Sequence, residues 1–456
     1  MSRMVVGRLA GAISAVALSG LSGCVVYHAR PLPSAPDLGV SAARLKVDPA
    51  ALRVVPLKAI KVDPGKGITP LGAAVLAVLN SPELEAKRRA IGVSQAEVFA
   101  AGLFPDPTIS GGYDEPVSGP DRRKAYNASA DLDLAGLLAN ANARRAAKAS
   151  ARQVDIDLLW SEWTVGQQAR QLAETVLAAE RKATFFRQVV AIAAERDDRS
   201  HRALENHDAT LQTSAADLAV KLDAQTQLST AEHDAVAARL QLNALLGLRA
   251  EVRLPLAEDP GETTYSDAEV DAALDTLAKR RPDVLALQAG YEAQDANVRK
   301  AIIAQFPITT LAVDFARDTS ANVTRGLSTS LLLPIFNGGR GEAKVQIATR
   351  EQLRAEYQAK LDAADAETRA AQADVRSARR VAGELQADVP RLEALVAPAL
   401  AAYDRRDIDS QTYLTLSQAA LSRRADLDDK ALAARLAEIT LETALFLPPA
   451  AARASR

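Results

Sequence analysis

The chain has 456 residues, with 55 Lys and Arg set against 57 Asp and Glu, and only 4% aromatic residues. Near-neutral charge with acids and bases interspersed leaves no basic face for nucleic acid, and dominance of Ala, Leu, Arg, Asp, Glu and Gln suits long helices in close contact rather than an aromatic-rich core. A single cysteine, Cys24, excludes an intramolecular disulfide.

The chain opens on an address rather than a fold. Arg3 and Arg8 supply a positive n-region, Leu9 to Leu18 an apolar h-region too short to span a bilayer, and Leu21-Ser22-Gly23-Cys24 a small-residue cleavage site. Leu-Ser-Gly-Cys resembles the bacterial lipobox. The resemblance implies cleavage before Cys24 and its acylation, and Val25 rather than Asp in the next position favours export to the outer membrane. Arg30 to Pro36 is proline-rich and reads as a tether. The mature chain keeps about 430 residues, and no later apolar run reaches the roughly 20 residues of a membrane helix, so any membrane crossing must be made by a barrel.

Sliding the sequence on itself gives a match at an offset of about 200 residues. Ser81-Pro82-Glu83-Leu84 falls on Arg281-Pro282-Asp283-Val284, and Pro107 falls on Pro307. Each half reads as helix, two strands, long helix, turn, helix. The first helix is predicted over Thr69 to Leu103 with Thr69 as N-cap. Strands are predicted over Thr108–Tyr113 and Ala125–Leu134, then Ile308–Phe315 and Gly326–Leu333. The second alternates strictly, with Tyr126, Ala128, Ala130, Leu132 and Leu134 on one face and Asn127, Ser129, Asp131 and Asp133 on the other, as a strand between lipid and a wet lumen requires. In the third, Leu311, Val313 and Phe315 share a face.

Long helices follow the strands. A heptad runs through Leu158, Val165, Leu172, Ala179, Phe186 and Ala193. The return helix carries Leu211, Ala215, Leu218 and Leu222 as its seam, then, after a shift of phase, Leu228, Ala231, Ala235, Ala238, Leu242 and Leu245; the second half carries Ala371, Val375, Ala378, Ala382, Leu385 and Val389, and Pro390 and Pro398 predict a bend. Ala141–Glu205 and Glu342–Tyr403 would be about 97 and 93 Å long, whereas Leu211–Leu246 and Ala268–Gln305 are each roughly half that, so two short helices end to end match one long one. Four strands cannot close a barrel. Three copies would supply 12, continued by a hollow coiled-coil tube. The fold class is thus mainly α with a transmembrane β-barrel. The expected divisions are 1–23 signal, 24–67 tether, 68–250 first repeat, 251–267 connector, 268–446 second repeat and 447–456 tail.

The element order and local motifs together resemble the TolC-like outer-membrane efflux proteins. The motifs are Asn80-Ser81-Pro82-Glu83-Leu84, Leu103-Phe104-Pro105-Asp106-Pro107, Asn243-Ala244-Leu245-Leu246-Gly247-Leu248, Arg281-Pro282-Asp283-Val284 and Leu333-Pro334-Ile335-Phe336-Asn337-Gly338-Gly339-Arg340. The resemblance, over roughly Ile68 to Phe446, implies a homotrimer in the outer membrane, a periplasmic helical tunnel, and docking onto an adaptor protein and an inner-membrane pump. It also implies a constricting carboxylate ring near the hairpin tips. The tips depart from the family's frequent Gly, reading Glu205-Asn206-His207-Asp208-Ala209 and Asp404-Arg405-Arg406-Asp407-Ile408-Asp409.

The offset places Asp217 over Ser417. Three copies of Asp217 would form a cation-selective ring, with Asp404, Arg405, Arg406 and Asp407 as a tip latch; solvated turn charges are the plain alternative, because turns attract Asp. No enzyme constellation and no cofactor site is read. His201 and His207 lie near Asp197, Asp198 and Asp208 as turn polars rather than metal ligands. Trp160 and Trp163 read as packing residues where helix meets barrel. The rival reading is a periplasmic coiled-coil lipoprotein that opens no pore.

Overall fold

A computed structural model describes residues 27–447 apart from 59, 61, 64–66, 122, 259–264, 307, 333 and 334. Cys24 and the signal segment lie outside the described residues, as do Leu333 and Pro334. Residues 27–38 form a separate unit of exposed, irregular chain. The remainder, from Gly39, carries all the regular structure described below.

The first predicted helix is two. Thr69 caps α1 (Pro70–Asn80), its hydroxyl accepting from the Gly72 amide at 3.1 Å. α2 (Pro82–Gly102) starts afresh after Ser81, which stands at ψ 124° because the ring of Pro82 disfavours helical geometry in the residue before it. The second half repeats the device. α5 (Asp267–Asp275) and the short α6 (Leu277–Arg280) end at Arg281, ψ 118°, and α7 (Pro282–Ile303) begins at Pro282. One helix over Ala268–Gln305 is therefore corrected to three, for the same steric reason at its main break.

The strands are β1 (Thr108–Asp114), β2 (Ala125–Asp133), β3 (Ile308–Arg317) and β4 (Val323–Leu331), antiparallel throughout in the order β1-β2-β3-β4. The last strand is displaced from the expected Gly326–Leu333, because Val323 and Thr324 pair with Arg317 and Ala316. Leu134 leaves the second strand: Asp133 accepts from the Gly136 amide at 2.9 Å and caps α3 (Leu134–Glu205), so that helix starts seven residues before Ala141. Its 72 residues make it about 108 Å long.

The hairpin returns through α4 (Leu211–Leu245). In the second half α8 (Arg340–Glu393) breaks at Ala394–Leu395, continues as α9 (Val396–Asp404), and returns as α10 (Ser410–Leu445). Pro398 explains the break, since it offers no amide to the Ala394 carbonyl and its ring collides there; Pro390 stays inside the helix. α3 is flanked by α4, through Arg187–Glu232 at 3.1 Å, and nearer the sheet by α7, through Arg152–Glu292 at 3.2 Å. Two short helices thus serve one long one.

The main core surrounds α1, which is buried on all sides, an arrangement open only to a helix apolar all round. Leu52, Val54 and Leu57, then Leu158, Trp163 and Ala169 of α3, then Leu242, Leu246 and Leu254 pack around it. Trp163 is fully buried, donates to the Thr443 carbonyl at 3.1 Å and meets Phe446 edge to face at 5.2 Å. It lies 29 residues into α3, about 44 Å from the sheet, which corrects its expected place at the helix–barrel junction. Gly247, at φ +68°, closes α4 with the Leu248 amide bonded back to the Asn243 carbonyl at 2.8 Å. The Asn243 amide holds the exit chain through the Arg249, Ala250 and Val252 carbonyls.

The heptad of α3 is largely the buried seam: Leu158, Val165, Ala179, Phe186 and Ala193 are buried and Leu172 is half-buried. The first stretch of the α4 seam is not. Leu211, Leu218 and Leu222 are 74%, 43% and 53% exposed, while Ser214, Asp217 and Ala224 face α3. Small and polar side chains let α3 and α4 approach, leaving the large apolar stripe outward.

Candidate functional site

Register makes the sheet two-faced. Tyr126, Ala128, Ala130 and Leu132 of β2 stand opposite Arg317, Phe315, Val313 and Leu311 of β3. Directly opposed residues share a face, so the apolar sides of both strands join. Ile109 and Tyr113 of β1 and Leu327 of β4 extend that face. The other face carries Ser110, Asn127, Ser129, Asp131, Asp314 and Ser328, with Ser110 and Ser129 hydroxyls 2.9 Å apart. Ile109, Val313 and Leu327 are 75%, 59% and 76% exposed. Such a surface is stable against lipid and costly against water. The outer edges of β1 and β4 have no partner strand among the described residues. No described helix is long and apolar enough to cross a membrane.

At the far end of the helices the two tips are built alike. Asn206 and Arg405 end their helices, His207 and Arg406 take φ +63° and +66°, and the next amides, of Asp208 and Asp407, return to the Ala203 and Ala402 carbonyls at 2.7 and 2.8 Å. Thr210 and Asp409 then cap α4 and α10 through the Thr213 and Thr412 amides. Hydrogen bonds from Thr412 hold the Asp409 carboxyl below its ordinary range. Arg405 pairs with Asp407 at 2.9 Å within the turn. Asp404 and Arg406 are exposed beside it.

Asp217 is buried at 6% exposure, and its carboxylate accepts from Arg196 of α3 at 3.0 Å. The free ring carboxylate that the resemblance implied is therefore balanced within its own chain. Arg196 also lies 5.0 Å over the Tyr413 ring of α10, and Tyr413 stacks on Tyr403 of α9 at 5.7 Å. One guanidinium thus ties both hairpins together. Asp217 and Ser417 line a common cavity of about 270 Å³ with Val189, Ile192, Val220 and Leu414. Lys221 and Asp197 add a second pair across the first hairpin at 2.7 Å. Arg196 escaped the sequence reading, although it and Asp217 lie almost equally far from His207, the spacing at which a hairpin brings residues opposite. His201 is paired with Glu205 at 3.5 Å, and the described residues contain no group of three metal-capable side chains.

A four-stranded sheet with one lipid-compatible face, set on paired coiled hairpins duplicated at about 200 residues, defines a channel-forming subunit of the outer-membrane type. No family model matches the chain. It is 30% identical to Protein CyaE of Bordetella pertussis over 336 residues, 68% of this chain and 69% of that protein. It is 34% identical to the pyoverdine export outer membrane protein OpmQ of Pseudomonas aeruginosa over 151 residues, 31% of each. The Campylobacter jejuni CmeC outer membrane channel has the same fold, with TM-score 0.70 at 15% identity over 92% of this chain and 94% of that one. The chain belongs to the TolC-like outer-membrane efflux protein family. It is an outer-membrane channel subunit of a tripartite export system with a large periplasmic part, which displaces the reading as a scaffold without a pore.

Proposed function

We propose that three copies close their sheets into a 12-stranded barrel, β4 of one copy pairing with β1 of the next, and that the assembly is a passive exit duct fed by a periplasmic adaptor and an inner-membrane pump. The open edges of β1 and β4 carry this reading, since a flat apolar edge left unpaired invites strand addition. The outward stripe of Leu211, Leu218 and Leu222 supports it, as does the continuous apolar face. Native mass spectrometry in detergent tests it: a trimer is expected, and a monomer as the sole native species contradicts it. Acylation at Cys24 would add a second attachment to the membrane.

The resting closure is assigned to the layer of Arg196, Asp217 and Tyr413, with Asp404, Arg405, Arg406 and Asp407 as the latch beyond it. Opening must part contacts between hairpins, and Arg196, held by Asp217 of its own hairpin, makes one such contact on the Tyr413 ring of the other. Arg196→Ala, and separately Arg405→Ala with Arg406→Ala, should raise single-channel conductance. Asp217→Ala leaves Arg196 uncompensated and should reduce cation preference. Wild-type conductance and selectivity in all three at low salt, where charges are least screened, would move the closure elsewhere.

A further inference from the structure

The lipid-facing side of the sheet carries two arginines at its loop end, the end farthest from the helices. Arg317 stands opposite Tyr126, and Arg325 stands opposite Phe315. The Arg317 guanidinium lies 5.9 Å over the Tyr126 ring and that of Arg325 5.9 Å over Phe315, while the two rings stack at 6.1 Å. Among the described residues neither guanidinium is ion-paired. The neighbouring Asp318 accepts instead from Asn322, at 2.8 Å from its amide and 3.0 Å from its side chain. Lys124 over Tyr113, 5.5 Å away, adds a third cation, but Glu115 shares it at 3.4 Å.

An arginine on the lipid face is costly at the bilayer midplane and nearly free of cost near an interface. Two of them in adjacent layers at the loop end therefore mark the headgroup level, and the helices at the opposite end make this the outer leaflet. A guanidinium attracted to a ring face spends no N–H donor on a carboxylate, and its edge of two parallel N–H groups fits a phosphate. Directly beneath, Val313, Leu327 and Leu311 form an exposed apolar strip.

We propose that Arg317 and Arg325 form a clamp, one per subunit, for the phosphate of a phosphorylated glycolipid of the outer leaflet, whose acyl chains lie along Val313, Leu327 and Leu311. The apolar strip below the clamp selects a lipid over free phosphate. The inference rests on the barrel reading, which bilayer conductance tests separately.

The experiment is native mass spectrometry of the detergent-solubilised full-length assembly with lipid A carrying both phosphates, against the same lipid dephosphorylated. The phosphorylated form should bind at least about ten-fold more tightly, a preference of about 1.4 kcal/mol. Arg317→Gln with Arg325→Gln should abolish that preference while leaving conductance unchanged. Equal retention of both lipids by the wild type, a preference that survives in the double variant, or displacement of the lipid by excess inorganic phosphate would each overturn the proposal. Should the variant fail to assemble, the wild-type comparison decides alone.

Discussion

Arg170 of α3 and Glu442 of α10 lie against one another with each side chain 1% exposed, an ion pair that joins the first long helix to the last one. Arg435 extends the cluster to Glu174 at 3.0 Å and Glu438 at 3.5 Å, and Arg379 reaches Glu438 from α8. Burial outweighs the attraction of Arg170 and raises the Glu442 carboxyl above its ordinary range.

Breaking this pair from one side strands a buried charge, and Arg170→Met should destabilise the protein by about 3–5 kcal/mol. Arg170→Met with Glu442→Leu should recover most or all of that loss, because the desolvation cost of both ions disappears. The folded Glu442 binds its proton more tightly than the unfolded chain does. Its contribution is therefore full below the unfolded pKa and is lost as pH rises through the raised folded value. Glu442→Gln should flatten the stability profile across that window, and thermal unfolding against pH reads both effects.

His207 and Arg406 hold left-handed backbone at the tips. Glycine there relieves about 1–2 kcal/mol of steric cost against about 0.5–1 kcal/mol of added chain entropy. His207→Gly and Arg406→Gly should each leave stability unchanged or raise it by up to about 1.5 kcal/mol. Phe446 has the same sign of φ, +49°, but packs on Trp163. Phe446→Gly should therefore destabilise by about 3 kcal/mol or more. Unfolding midpoints separate the cases, and equal shifts at all three positions would contradict the argument.

Register also grades the membrane face by depth. Val313, level with Ala130 and Leu327, lies between the loop-end layer of Tyr126 and the helix-end layer of Leu132. Val313→Arg should cost about 2–4 kcal/mol and Leu132→Arg nearer about 0–1. Unfolding from lipid vesicles measures the two, and a larger cost at Leu132 would reverse the assigned depths.

Cys24→Ser should block lipobox processing and leave a heavier, unacylated precursor. Assembly should survive, because the barrel supplies its own attachment. Mass spectrometry of the wild-type N-terminus checks this, and a processed but unlipidated chain would refute the anchor.

The seam of α3 was legible because it is buried within one subunit, where period and burial coincide. The stripe of Leu211, Leu218 and Leu222 is not covered within the subunit, and periodicity identifies an apolar face without saying which partner covers it. Strand alternation predicted the two faces of β2 and β3, while their pairing across the two halves needed the fold, since Tyr126 and Arg317 lie far apart in sequence. The breaks at Pro82 and Pro282 were readable from proline sterics but lay inside unbroken helical patterns. Asp217 was singled out by the family resemblance, and its partner Arg196 by the structure alone. Phe446 occupies the position of Gly247 in the repeat, so a composition rule for helix ends misses it.

Single-channel recording of the purified assembly in planar bilayers tests the central claim most directly. A pore predicts discrete conductance steps that grow with salt concentration and increase in Arg196→Ala. Bilayers that carry folded assembly yet show no steps, in the wild type and in Arg196→Ala alike, would contradict the claim that this chain forms a channel.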